Sequence, residues 1–429
     1  MDNSTRRIPP HTLSAVVGAA LAGGTLDDAR PAMIFHDLDR LDERLAAIRR
    51  AFPADALHAI AIKANPLVAL LRQVVDAGFG LEAASFEEVE LALAAGCPPG
   101  RVVYDSPCKT RRELRRGLQL GLHVNVDNLD ELERIAELRA RIDARGPVGL
   151  RVNPRVGVGS IADTSLADGR SKFGVPLGDD PANIVDAFRR HPWLTGLHVH
   201  VGSQGCEAEL LVAGIRRIVE LAEQLDGTLG ERRVTALDIG GGLPAAYHEG
   251  DPSPTFESYA ALLRERIPEL FANGVRLITE FGRSVHAGCG FAASRVEYVK
   301  HVGETRVAVI HLGADFLLRP AYRPDQWQHD LVVLGADGRQ KPASPTEEWT
   351  VAGPLCFAGD VLARGLLLPP VEPGDLVLIR DTGAYAVGMW SRYCSRVIPA
   401  VVGFRGGDPP VFSELRRRET STDVVRFWS

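Results

Sequence analysis

Leu57-His58-Ala59-Ile60-Ala61-Ile62-Lys63-Ala64-Asn65-Pro66 is the stretch from which the fold of this 429-residue chain can be read. Its apolar run of β-branched and small residues predicts a buried strand over 57–62. A lysine follows the run, and Asn65-Pro66 turns the chain. A primary amine therefore sits at the mouth of a sheet or barrel. Partly desolvated there, it can lose its proton and form a Schiff base with an aldehyde. On these ten residues alone, an ordinary surface lysine at a strand end is the simpler explanation. The stretches that follow change that balance.

From residue 57 a rhythm sets in of short apolar strand, polar residue, amphipathic helix. It predicts strands over 57–62, 80–84, 101–104, 122–126, 148–152, 194–201, 234–239 and 275–280. Helices are expected between them, among others over 86–95, 129–145, 182–190, 208–225 and 255–272. Strands alternating with helices argue for a parallel sheet. Eight such units fit a closed (β/α)8 TIM barrel, for which about 250 residues are typical. No dinucleotide fingerprint follows the first strand, so an open doubly wound sheet is the weaker alternative. After about residue 290 the pattern becomes strands and turns, a C-terminal β-sandwich or β-barrel-like domain. The expected division is an N-terminal arm over 1–31 associated with the β domain, a barrel over 32–290 and the β domain over 291–429. The arm carries one short helix (12–22), and Asp37 is placed to cap the next, over 37–52.

Composition narrows the function classes. The chain is 45% hydrophobic and 24% charged with net charge −6, so no basic excess points to nucleic acid or a membrane surface. The arginines near Met1 are followed by no apolar core of a secretory signal. Six scattered cysteines without a CxxC pair argue against zinc and disulfides and for a reducing cytoplasm.

In a barrel of this kind the chemistry lies at the C-terminal strand ends. Those positions hold Lys63, Glu82 with Ser85, Ser106, Asp127, Arg151 with Asn153, His198 with His200 and Ser203, Gly240-Gly241-Gly242, and Glu280 with Arg283. Three glycines let backbone N–H groups approach a phosphate closely, though a tight turn reads the same. Arg283 suits a phosphate, and Glu280 suits a ring nitrogen that must stay protonated. His198 and His200 share a face by strand alternation. They could bind metal, but no third ligand with suitable spacing appears, so no metal is expected. A flat imidazole stacked on an aromatic cofactor and a plain core histidine are the other readings. In the β domain, Gly353-Pro354-Leu355-Cys356 and Asp381-Thr382-Gly383-Ala384-Tyr385 are turn-rich and carry reactive side chains.

Taken in order, Ala61-Ile62-Lys63-Ala64-Asn65, His200-Val201-Gly202-Ser203, Gly240-Gly241-Gly242, Glu280-Phe281-Gly282-Arg283, Gly353-Pro354-Leu355-Cys356 and Gly383-Ala384-Tyr385 resemble the motifs of the fold-type III pyridoxal phosphate decarboxylases. That is the diaminopimelate, ornithine and arginine decarboxylase group. Gly196-Leu197-His198-Val199-His200, Ser171-Lys172-Phe173-Gly174 and Arg319-Pro320 are closer to the diaminopimelate branch. The resemblance implies pyridoxal 5'-phosphate held by Lys63, with His200 stacked on its ring and Glu280 paired with the ring nitrogen. It implies Ser203, Gly240, Gly241, Gly242, Gly282, Arg283 and Tyr385 around the phosphate. Arg319 and Tyr322 fall on the substrate side. Cys356 would reach across a homodimer, into the partner's site, to reprotonate the substrate carbon.

Several positions depart from the family pattern. Phe281 replaces a proline, Glu82 an aspartate, and Tyr393-Cys394 a Tyr-Asn pair. The acidic residue expected after the cysteine, which in relatives faces the far amine of a diamino acid, is Phe357. A buried ammonium left unpaired costs several kcal/mol. Asp360 resembles a structural position, while Arg323, Trp327 and His329 favour an anionic, amide-bearing or aromatic far end. The expected substrate is an amino acid or amino-acid derivative without a free distal amine, its far end acylated, carboxylated or carrier-tethered, in a specialised biosynthetic pathway. A diamino-acid decarboxylase, an amino-acid racemase and an inactive homologue that binds a partner are the alternatives.

Overall fold

The computed structural model describes residues 7–161, 165–167, 169–271, 274–342 and 344–429. The first six residues of the predicted arm and residue 272, the end of a predicted helix, lie outside these ranges. The chain forms two compact units, one of residues 44–245 and 253–285, the other of residues 7–43, 246–252 and 286–429. In chain order the first ten strands are β1 (Ala32–Asp37), β2 (Leu57–Ala61), β3 (Gly80–Ala83), β4 (Val102–Tyr104), β5 (His123–Val126), β6 (Val148–Asn153), β7 (Val175–Pro176), β8 (Leu194–His198), β9 (Ala236–Asp238) and β10 (Arg276–Thr279). The remaining eight are β11 (Gly290–Val302), β12 (Thr305–Ile310), β13 (Leu331–Leu334), β14 (Glu347–Ala352), β15 (Val361–Leu368), β16 (Leu376–Ile379), β17 (Ala400–Arg405) and β18 (Val411–Arg416).

The first unit is a closed parallel barrel in the order β5-β4-β3-β2-β10-β9-β8-β6, and pairing of Val124 with Val148 joins β5 to β6. All eight predicted strands are present, and β7 is a two-residue addition on the edge of β6. Helices between the strands begin on side chains that the sequence provides. Ser85 caps Phe86–Ala94, Thr110 and Glu113 form a capping box on Arg111–Leu120, and Asn128 caps Leu129–Arg139. A fully buried lysine, Lys109, donates to Ser106 O (2.6 Å), Asn125 O (2.8 Å) and Glu131 Oε1 (2.7 Å), so its charge is matched on every side.

The second unit is a mixed nine-stranded sheet, β15-β14-β12-β11-β1-β17-β18, with β16 on β11 and β13 on β16. The central strand β1 runs antiparallel to β11 and parallel to β17. The helix Pro10–Ala22 covers this sheet with Leu13, Val16, Val17 and Ala20, which join Phe35, Phe291, Leu376 and Phe404 in one core. Spacings of three and four residues place those four side chains on one helix face, and each fully buried aliphatic contributes roughly 1.5–3 kcal/mol. Asp37 ends β1, and its Oδ1 accepts from Arg40 N at 2.9 Å, capping the helix Leu38–Ala51. Strand β17 begins only at Ala400, because Pro399 cannot donate to the ladder.

Candidate active site

Within the barrel unit the strand ends converge on buried charges. Lys63 lies in a single 3-10 turn, Ile62–Ala64, directly after β2. The backbone N–H of Ala61 donates to Phe281 O at 3.0 Å, which ties that turn to the end of β10. The Lys63 amine contacts Glu82 Oε2, and Glu82 has no exposed surface. Burial pushes the Glu82 carboxyl up from its ordinary range, and the nearby amine only partly offsets this.

Glu280 follows β10 and is 2% exposed. Among the described residues neither of its oxygens has a hydrogen-bond partner. A buried carboxylate so arranged is incomplete, and the missing partner must be a donor. Burial alone would raise its pKa, but the charge of His198 outweighs that and holds Glu280 well below the usual carboxylate value. His200 Nδ1 accepts from Gly241 N–H at 3.2 Å, so the ring is neutral with its proton on Nε2, and burial favours that neutral form.

The glycine run closes around the same region. Gly240 and Gly242 have φ of +65° and +98°, which side chains rarely adopt. A Cβ at Gly241 would meet Glu280 O at 2.2 Å. The backbone here can approach a ligand only because no side chain stands in the way. Arg283 Nε donates to Ser203 Oγ at 3.2 Å, pairing a guanidinium with a hydroxyl from the end of β8. Gly282 carries the chain from Glu280 into the short helix Arg283–His286. Phe281 is buried among Phe52, Phe256 and Tyr259, with ring centroids 5.7, 5.0 and 6.4 Å away. An aromatic core therefore takes the bulk that replaces proline.

These groups fit pyridoxal phosphate. Lys63 offers the amine, Glu280 an unmatched acceptor for a protonated ring nitrogen, and His200 a neutral flat ring. Ser203, Arg283 and the glycine backbone offer donors for a phosphate.

Four of the strand-end polar residues accept from backbone N–H groups. Ser85 accepts from Glu88 N, Ser106 from Cys108 N, Asp127 from Gly174 N and Asn153 from Arg155 N. Two buried acids beside these groups escaped the sequence reading, Asp105 and Asp238. Asp105 accepts from Arg151 Nη1 at 2.8 Å, and Asp238 from Asn125 Nδ2 at 2.9 Å. The only available signal was an acid directly after β4 and one at the end of β9. His198 also gains what the spacing argument did not find, since Asp105, His198 and Glu280 each bring one buried ligand atom within 4.8 Å of the others.

The β unit carries the other residues singled out in the sequence. The Arg319 guanidinium lies 4.6 Å from the Trp327 ring centroid and 4.9 Å from that of Tyr385. Tyr322 stacks on Phe357 at 5.3 Å with 21° between the planes. Cys356 is an exposed thiol, and Tyr393 Oη donates to its backbone carbonyl at 3.2 Å. Asp360 is occupied by the backbone N–H groups of Ala314 and Leu355, both at 2.6 Å, which is the structural role expected of it. His329 Nδ1 bonds Arg380 O at 2.7 Å, and Trp327 and His329 both pack edge-on to Tyr247.

Comparison with known proteins agrees with this chemistry. Residues 38–287 match the family described as pyridoxal-dependent decarboxylase, pyridoxal binding domain. The diaminopimelate decarboxylase of Pseudomonas aeruginosa is 34% identical over 371 residues, 86% of this chain and 85% of that one. That of Escherichia coli K12 is 32% identical, over 85% of this chain and 86% of its own. The solved diaminopimelate decarboxylase from M. jannaschii, crystallised with L-lysine, superposes with a TM-score of 0.83 at 25% identity, covering 95% of this chain and 93% of its own. Among the described residues no helix is long and apolar enough to cross a membrane. The unmatched carboxylate of Glu280, the amine of Lys63 and a family match over most of the barrel lead to one conclusion: the chain belongs to the pyridoxal-dependent decarboxylases and is an amino-acid decarboxylase that uses pyridoxal phosphate.

Proposed function

We propose that the substrate is a diamino acid of the diaminopimelate kind, decarboxylated at its α-carbon. The observation that carries this reading is that both relatives above bear that activity in their names and align over more than four-fifths of the chain. When bound, the cofactor supplies the electron sink for the pair left by departing CO2. Lys63 would hold it through its amine. Glu280 would accept from its ring nitrogen and keep that nitrogen protonated. His200, neutral, would lie against its ring without adding charge. Ser203, Gly240 to Gly242, Gly282, Arg283 and Tyr385 would hold its phosphate. Arg319 and Tyr322 orient the substrate, and Cys356 delivers a proton to the carbon that lost CO2.

The assembly is a homodimer in which Cys356 serves the partner's site. Mixing the Lys63→Ala and Cys356→Ala variants tests this. Random exchange should restore about a quarter of wild-type activity, because one site per mixed dimer has both residues. No recovery after exchange verified by mass would remove the shared site. All six cysteines are free thiols, in keeping with a reducing cytoplasm.

One observation favours a second substrate class. Phe357, beside Cys356, presents an aromatic face stacked on Tyr322, where a far ammonium would need a carboxylate. An acylated, carboxylated or carrier-tethered far end would suit that face better. A kcat/KM panel decides between the two: meso-diaminopimelate and lysine well above their acylated or acidic analogues supports the first, and the reverse order supports the second.

A further inference from the structure

We propose that His198 is a positioning residue for the decarboxylation. It is an imidazolium clamped between Asp105 and Glu280 that keeps Glu280 anionic where the ring nitrogen of the cofactor needs its partner. The inference rests on the role of Glu280 given above.

The argument begins from geometry. His198 has no exposed surface. Its two nitrogens face two different carboxylates, Nδ1 at 3.7 Å from Asp105 Oδ1 and Nε2 at 3.5 Å from Glu280 Oε2. A neutral imidazole carries one N–H and could serve only one of them. Doubly protonated, it faces both as an ion pair, at separations longer than a hydrogen bond. The other oxygen of Asp105 accepts from Arg151, itself buried. The result is a line of alternating sign, Arg151, Asp105, His198, Glu280, ending at the place of a protonated ring nitrogen.

The neighbours on the other strands do not supply the same charge. His200 cannot, because its Nδ1 already accepts from Gly241. His123 on β5 bonds Asn125, and burial depresses it to about 4, so it is neutral. Asp238 on β9 accepts from Gly240 N and Asn125, and burial raises it toward the protonated form. Lys63 is turned to Glu82. Burial would discharge His198 as well, but Asp105 and Glu280 prevail and bring it to about 9. A divalent cation held by the same three ligand atoms is the competing use of the triad. The imidazolium reading excludes it, since a metal ligand must be an unprotonated nitrogen.

The first test uses unmutated protein. Imidazole 15N resonances are recorded on the cofactor-free form, with His198→Gln identifying the signal. The expected result is a ring doubly protonated at neutral pH that titrates near 9. A neutral ring at pH 7.5, or one metal ion per chain by elemental analysis, would overturn the proposal. In the second test the variant is loaded with ring-15N-labelled cofactor. The ring nitrogen of His198→Gln should move toward its unprotonated shift, with kcat lower by at least about tenfold and KM changed by less than about threefold. An unmoved nitrogen with kcat within about twofold of wild type also overturns it. Glu280→Gln separates the two readings. If Glu280→Gln shifts the nitrogen and His198→Gln does not, only the role of His198 fails. If neither does, the role of Glu280 fails with it.

Discussion

The barrel and the β unit both hold residues assigned to one reaction, yet they hold them differently. In the barrel, Glu82, Asp105, His198 and Glu280 are each at most 5% exposed and sit at or just after strand ends. In the β unit, Cys356 and Tyr322 are exposed and Phe357 half-buried, on turns and a five-residue helix. Buried charges interact strongly and tolerate little change. Exposed loop side chains can be exchanged with little effect on the fold. On the roles proposed above, the groups that hold the cofactor rest on the rigid part, and the proton donor Cys356 and the substrate contacts on the exposed part.

That contrast can be broken at four places. Lys63→Ala should lower kcat by at least about 10³-fold, as loss of a covalent catalytic group does, with an unchanged circular dichroism spectrum and no bound chromophore. Full activity with added cofactor would end the assignment of Lys63. Glu280→Gln, nearly isosteric, should cost about 10²-fold in kcat, the scale for one lost electrostatic contact in a water-poor site. A loss confined to KM would mean that Glu280 binds without aiding the chemistry.

The third test concerns protons in the barrel. Burial lowers His58 to about 4 while its Nδ1 bonds Thr279 Oγ1 at 2.8 Å. A histidine depressed in the folded state supports stability above the unfolded value of about 6.5, and that support is lost as pH falls toward 4. His58→Asn should thus lose about 2 kcal/mol less stability than wild type between pH 6.5 and 4.5, read by denaturant unfolding. Identical slopes would mean that His58 is protonated in the fold. The smallest effect is expected in the β unit. Phe357→Glu should raise the preference for a diamino acid over its acylated analogue by about tenfold in kcat/KM, with barrel spectra unchanged. If the ratio stays fixed, Phe357 does not select substrate.

The barrel was legible in the sequence because each βα unit repeats one pattern, and the eight strands fall where apolar runs meet polar residues. Lys63, His200, Glu280 and Arg283 were legible for the same reason, as strand-end residues beside turns. Asp105 and Asp238 were not, because their roles depend on partners 46 residues away (Arg151) and 113 away (Asn125). Strand β11 was hidden by its own division of labour. Residues 292–295 pair with β16 and are largely buried, whereas residues 298–302 pair with β12 alone and are largely exposed. No single period spans both halves.

The position of β1 has a consequence for synthesis in the cell. This strand, complete by residue 37, takes its parallel neighbour from residues 400–405. At ribosomal rates of about 5–20 residues per second, β1 waits roughly 20–70 seconds for that neighbour, while the barrel residues in between emerge and can already close on themselves. During that interval an apolar strand with open edges is available to other nascent chains. A ribosome stalled before residue 400 would leave a finished barrel tethered to an aggregation-prone arm.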